Sequence, residues 1–142
     1  MSDVVVREAR DGDGDALRRF ASEAVTPDVV AAGGRFDVGD TEHLLSADVI
    51  FVAECGHHLA GYVAVSEEGE VLCVDRLVVA ITDEGRGVGH RLLDWAEGYA
   101  VSRGSHAVRV RVEPDNRRAR AFYARRGYGQ EGALLERPLA HA

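Results

Sequence analysis

The chain has 142 residues, 46% of them hydrophobic, and a formal net charge of -7. That length and apolar share suffice for one core without disulfide or metal staples, so one domain over residues 1–142 is expected. No stretch approaches the roughly 20 apolar residues of a membrane helix, the N-terminus lacks the basic and apolar regions of a signal peptide, and the acidic balance disfavours a nucleic-acid surface; a cytoplasmic protein with neither membrane nor nucleic-acid partners is expected.

Val4 to Arg7 is a β-branched run, and the DGDGD that follows supplies a turn and a cap for a helix from Ala16 to Val25, with Leu17, Phe20, Ala21 and Ala24 on its core face. Thr26 to Asp40, with Pro27, Gly33, Gly34 and Gly39, has little periodicity and is the candidate lid; Thr41 to Leu45 is a candidate short helix. Val49–Glu54 and Leu59–Ser66 read as a hairpin around a turn holding His57 and His58, which are expected to be solvated. A second turn over Glu67–Glu70 leads into a strand from Val71 to Val79. Cys55 and Cys73 sit in these apolar runs without C-x-x-C spacing, which predicts reduced thiols rather than a bridge or a metal site.

Val88, Leu92, Leu93, Trp95, Ala96 and Tyr99 give an amphipathic helix over Val88–Ser102. In the strand Ala107–Val112, Val108, Val110 and Val112 share one face while Arg109 and Arg111 share the other. Pro114 closes it, Asp115 or Asn116 caps a helix to Arg126, and Tyr128–Glu131 and Ala133–Leu139 are the last strands. Hairpins and strand-helix-strand crossovers in one short chain predict an α/β domain with a mixed sheet of six or seven strands.

The string Glu84-Gly85-Arg86-Gly87-Val88-Gly89 separates an apolar strand from a helix. The first amides of a helix lack internal acceptors, the helix dipole makes that end positive, and glycines let an anion approach the backbone. Arg86 and Arg91 add charge. A nucleotide-triphosphate loop needs Gly-Lys-Ser/Thr, but His90 and Arg91 follow Gly89. A GxGxxG fingerprint would need glycine at position 90. A tight structural turn is the plain alternative. In Asn116 to Tyr128, Ala119, Phe122 and Tyr123 share a helical face; taken singly, Asn116 is a cap and Tyr123 a core aromatic.

Together, Leu77-Val78-Val79, the EGRGVG turn, Leu92-Leu93 and N-x-x-A-x-x-F-Y-x-x-x-G-Y resemble the GNAT acetyltransferase superfamily, most specifically from Val71 to Tyr128. The resemblance implies a three-layer fold with a splayed sheet and acetyl-CoA as co-substrate. It places the pyrophosphate on the turn of Glu84, Gly85, Arg86, Gly87, Val88 and Gly89, with Arg91 beside it. Leu77, Val78, Val79 and Asn116 would then hold the pantetheine arm. Glu84 stands where the family has Gln or Arg, which sets a carboxylate near the phosphates. The resemblance also implies direct transfer to an amine, with the Val79 amide at the thioester oxygen and Tyr123 as the acid for the departing thiolate.

Asp75 is the candidate base, since strand alternation sets it on the face of Val79; an ion pair with an arginine is its ordinary alternative. Arg111 occupies the position of the glutamate found in members that acetylate ribosomal-protein N-termini, which argues against that specificity. Asp28, Asp37, Asp40 and Glu42 in the candidate lid suggest a cationic small-molecule or peptide amine as acceptor. All 17 basic residues are arginine, a bias that codon usage or salt adaptation explains as well as any substrate. Two other readings are a non-catalytic acyl-CoA-binding module and an interaction subunit of an oligomer such as a homodimer, the latter favoured if Leu134, Leu135 and Leu139 are exposed.

Overall fold

The computed structural model of the protein describes residues 4–13, 17, 49–56, 58–79, 87–112, 114–132 and 134–139. Its elements run β1 (Val4–Glu8), a 3-10 turn (Asp11–Asp13), β2 (Val49–Cys55), β3 (His58–Glu68), β4 (Val71–Val79), α1 (Val88–Ser102), β5 (Ala107–Arg111), α2 (Arg117–Arg125), β6 (Gly129–Glu131) and β7 (Leu134–Pro138). The expected helices at Ala16–Val25 and Thr41–Leu45 and the candidate lid lie outside the described residues, apart from Leu17. So do His57 and the first part of the glycine-rich turn, through Arg86.

Seven strands form one mixed sheet in the order β1-β2-β3-β4-β5-β7-β6. Neighbours are antiparallel except β4 and β5, whose parallel pairing requires a crossover; α1 supplies it. Leu92, Leu93, Ala96 and Ala100 of α1 and Ala119, Phe122 and Tyr123 of α2 cover one face of the sheet, packing on Val63, Val65, Leu72, Leu77 and Val108. The opposite face is apolar too at β2 to β4, where Ile50, Val52, Tyr62, Ala64 and Val78 pack with Leu17. Burial on both faces explains why these strands read as continuous apolar runs rather than alternating ones. Arg7 ties the sheet edge to the turn after it, with its Nε donating to Glu54 at 2.6 Å and a terminal nitrogen to Asp13 at 2.8 Å. The same guanidinium holds the Asp13 carboxyl below its ordinary range.

Three details depart from the sequence expectations. Strand β3 runs on to Glu68, because Glu67 and Glu68 still pair with Leu72 and Val71. Trp95 is 47% exposed and rests on Phe51 at the rim, while Glu97 takes a place on the buried stripe of α1. Of the three leucines that would have marked an exposed interaction face, Leu135 is fully buried and Leu139 packs on the core; only Leu134 is exposed. Cys55 is buried and Cys73 partly buried. No helix among the described residues is long and apolar enough to cross a membrane.

Candidate functional site

Strands β4 and β5 run side by side only from Val71 to Val74 and from Ala107 to Val110. Beyond that point β4 continues to Val79 with β3 as its one partner among the described residues. Alternate backbone N–H and C=O groups from Arg76 to Val79 therefore face an edge that no described strand fills. The carboxyl ends of a diverging parallel pair are where α/β sheets offer a crevice for ligands.

The divergence coincides with a β-bulge. Ala64 pairs with Arg76 and Val65 with Val74, so Asp75 is the extra residue. One residue inserted into a strand reverses the alternation beyond it. Val74 and Leu77 both lie in the core under the helices, and Val79 follows Leu77 onto that face. The Asp75 carboxylate instead accepts a hydrogen bond from Ser66 Oγ at 2.5 Å, on the side away from the helices. The expectation that Asp75 and Val79 share a face is thus corrected, since strict alternation takes no account of the inserted residue.

Gly61 on β3 sits directly against the end of β4. A Cβ built there would lie 2.5 Å from the Val78 carbonyl oxygen and 3.3 Å from Val79 Cα. Only a residue without a side chain lets β3 support Val78 and Val79 so closely.

The start of α1 closes the crevice from the helix side. Gly87 caps it with φ of 76°, a left-handed conformation that glycine adopts without strain, and among the described residues no side chain caps the helix. The first turn carries no acidic residue to neutralise the dipole. A Cβ on Gly89 would lie 3.4 Å from Phe122 Cζ and 3.6 Å from Val79 Cγ2, so the helix start, the end of β4 and α2 meet at one point. Arg91 does not turn toward that point; its guanidinium donates to the Val4 carbonyl at 3.0 Å and joins α1 to β1.

Helix α2 is capped by Asn116, whose side-chain oxygen accepts from the Ala119 amide at 3.2 Å. Tyr123 is fully buried, packed edge-on against Phe122 and Tyr128 at ring separations of 5.1 and 5.2 Å. Its hydroxyl has no hydrogen-bond partner among the described residues. Buried polar atoms are nearly always paired, so this hydroxyl stands out among the described residues. Burial pushes the Tyr123 hydroxyl well above its ordinary pKa, with Arg126 opposing and the Glu97 charge reinforcing the shift. Burial and the Glu68 carboxylate likewise push the Cys73 thiol up to about 12.

Leu77, Val78, Val79, Gly87, Val88, Gly89, Asn116 and Tyr123 thus belong to the elements that border one crevice, while Asp75 stands on the reverse face of the sheet. Gly61 and Glu97 escaped the sequence reading, although each left a trace. A lone glycine inside an apolar strand signals close backbone approach, and Glu97 shares a helical stripe with Leu93 and Ala100.

Residues 18–128 match the family described as Acetyltransferase (GNAT) family. A search of curated proteins found no match. The ribosomal-protein-S18-alanine N-acetyltransferase of Escherichia coli superposes with a TM-score of 0.79 at 13% identity, over 99% of this chain and 96% of that one. Nourseothricin acetyltransferase gives 0.74 at 24% identity, over 95% and 98%. A GNAT family acetyltransferase from Brucella melitensis, solved in complex with acetyl-CoA, gives 0.74 at 16% identity, over 98% and 90%. At these identities the superpositions speak for the fold, and the family match covers most of the sequence: the chain belongs to the GNAT family of acetyltransferases.

Proposed function

We propose that the chain moves an acetyl group from acetyl-CoA directly to a primary amine, carried by a small cationic molecule or by a peptide. The observation that carries this reading is the Tyr123 hydroxyl, buried and without a hydrogen-bond partner among the described residues. Simple binding of a coenzyme does not need such a group; protonation of a departing thiolate does. The described residues fit acetyl-CoA in two further respects: no side chain among them caps the start of α1, and no strand among them pairs with the far edge of β4.

When bound, acetyl-CoA supplies the acyl group as a thioester with a thiolate as leaving group. In this reading the Glu84–Gly89 turn, with Arg86, receives the diphosphate on backbone amides. Arg91 serves to anchor α1 to β1 instead. Leu77 and Val78 offer backbone groups along the open edge of β4, the Val79 amide stabilises charge on the acyl oxygen, and Asn116 reaches the pantetheine arm from its capping position. Tyr123 gives its proton to the sulfur. Asp75, on the face away from α1 and α2, takes a proton from an amine arriving through the opening between β4 and β5. The bulge therefore suits the base to its task, because acceptor and donor come from opposite sides of the sheet.

The net charge of -7 favours approach of cations. Arg111 argues against ribosomal-protein N-termini as the acceptor class. Incubating the protein with acetyl-CoA and a panel of polyamines, aminoglycosides, amino acids and peptides, and reading thiol release, tests the proposal. Turnover of cationic amines is expected. Turnover confined to anionic or neutral acceptors overturns the acceptor class, and none with any amine overturns the reaction.

A further inference from the structure

Arg126, at the C-terminal end of α2, lies along one stripe of α1. Its guanidinium donates to Asp94 Oδ1 at 2.6 Å and to Glu97 Oε1 at 2.8 Å, and stands 3.3 Å from His90 Nδ1. His90, Asp94 and Glu97 follow one another at helical spacing, so they present a single face to α2. One turn earlier on α2, Phe122 packs on His90 with ring centroids 4.6 Å apart. Glu97 binds on beyond the two helices: its Oε1 also accepts from Arg137 of β7 at 2.9 Å, and its Oε2 from the Tyr128 hydroxyl at 2.8 Å. The side chains of Arg126 and Glu97 are only 13% and 12% exposed, so water competes little.

Arg126 and Glu97 form the covered centre of this network, with Asp94 and Arg137 at its exposed rim. A covered ion pair is poor evidence of net stability, because desolvation consumes much of the attraction. Its strength lies in geometry. A planar guanidinium bonded to successive turns of one helix admits one distance and one angle between that helix and its own. No member of the network gives or takes a proton in the transfers proposed above; it bears on them only through the charges of Arg126 and Glu97 near the Tyr123 hydroxyl.

We infer that Arg126 is a positioning residue, which through Asp94 and Glu97 fixes the spacing between the start of α1 and the helix that carries Asn116 and Tyr123. This inference rests on the proposed coenzyme site. The diphosphate and the sulfur of coenzyme A stand at opposite ends of one chain, so both ends seat together only when the two helices are correctly spaced. Adenosine diphosphate shares the diphosphate but has no pantetheine, and it reports on the α1 end alone.

Titration calorimetry of the full chain with coenzyme A and, separately, with ADP tests the inference. Replacing Arg126→Met leaves Glu97 paired with Arg137 and Tyr128, so this variant is the gentler probe, with Glu97→Gln as a second. Arg126→Met is expected to weaken coenzyme A binding about tenfold or more while ADP affinity stays within about twofold. Arg126→Lys keeps the charge and recovers part of the loss. A role confined to folding would weaken both ligands together, and that result overturns the inference, as do unchanged coenzyme A affinity or a wild-type chain that binds coenzyme A but not ADP. If the wild type binds neither ligand, the coenzyme site itself is wrong.

Discussion

Asp75 and Val79 are an even number of residues apart on β4 and nevertheless face opposite sides of the sheet. Val79 packs beneath α1, while the Asp75 carboxylate meets Ser66 on the other side. The bulge at Asp75 produces this arrangement and also marks where β4 loses β5 as a partner. A single inserted residue thus opens the crevice and turns a carboxylate away from the helices that line it.

If Asp75 is the base, Asp75→Asn lowers kcat by about 10²-fold or more. Coenzyme A affinity by calorimetry stays within about twofold, because the bulge and the α1 amides persist. Ser66→Ala removes one hydrogen bond to the carboxylate and costs less, on the order of tenfold. Full activity in Asp75→Asn would return Asp75 to a purely structural part.

Tyr123→Phe separates catalysis from stability. Loss of the acid lowers kcat by about 10²-fold or more. The same change removes a buried hydroxyl that has no partner among the described residues, and a buried unsatisfied polar group costs about 1–3 kcal/mol. The melting temperature of the ligand-free variant should therefore match or exceed that of the wild type. A variant that is both active and destabilised would contradict the assignment on both counts.

Alkaline pH reports on the same residues. Burial raises the hydroxyls of Tyr123 and Tyr128, and the Glu97 charge and hydrogen bond raise Tyr128 further. The folded chain then holds these protons more tightly than the unfolded one. This contribution is complete below the unfolded tyrosine pKa of about 10 and is lost as pH climbs past it, at about 1.4 kcal/mol per pH unit for each tyrosine. Urea midpoints should hold level below about pH 9 and fall steeply above about pH 10, with a shallower fall in Tyr123→Phe. A pH-independent midpoint across that range would show that neither phenol is buried in solution.

The residues that carried the fold reading did so because their constraints are local. Val108, Val110 and Val112 alternate, Ala119, Phe122 and Tyr123 recur at helical spacing, and Asn116 caps its own helix; each pattern depends on the backbone within a turn or two. What escaped depends on distant partners. The bulge at Asp75 exists only in the register between β3 and β4, and the burial of Glu97 depends on arginines 29 and 40 residues away. Trp95 misled because its helical position fits the apolar stripe, yet its ring is half exposed, tilted against Phe51. Charge could not resolve the acceptor, since Asp75 and Glu68 share their side of the sheet with arginines.

Gly61 and Gly98 offer a paired test of how closely β3 supports the end of β4. A methyl group on Gly61 would press to 2.5 Å from the Val78 oxygen, backbone that the pairing with β3 holds in place. On Gly98 it would meet nothing within 4 Å. Gly98→Ala, inside α1, should stabilise the chain by about 0.5–1 kcal/mol and leave the rate alone. Gly61→Ala should destabilise by about 1–3 kcal/mol through overpacking, and kcat should fall by about tenfold or more as the Val79 amide moves off its target, with a smaller change in KM. Were Gly61→Ala to unfold more easily while the remaining folded protein kept full kcat, the close approach would be a packing feature alone. In that case the Val79 amide would have no part in holding charge on the acyl oxygen.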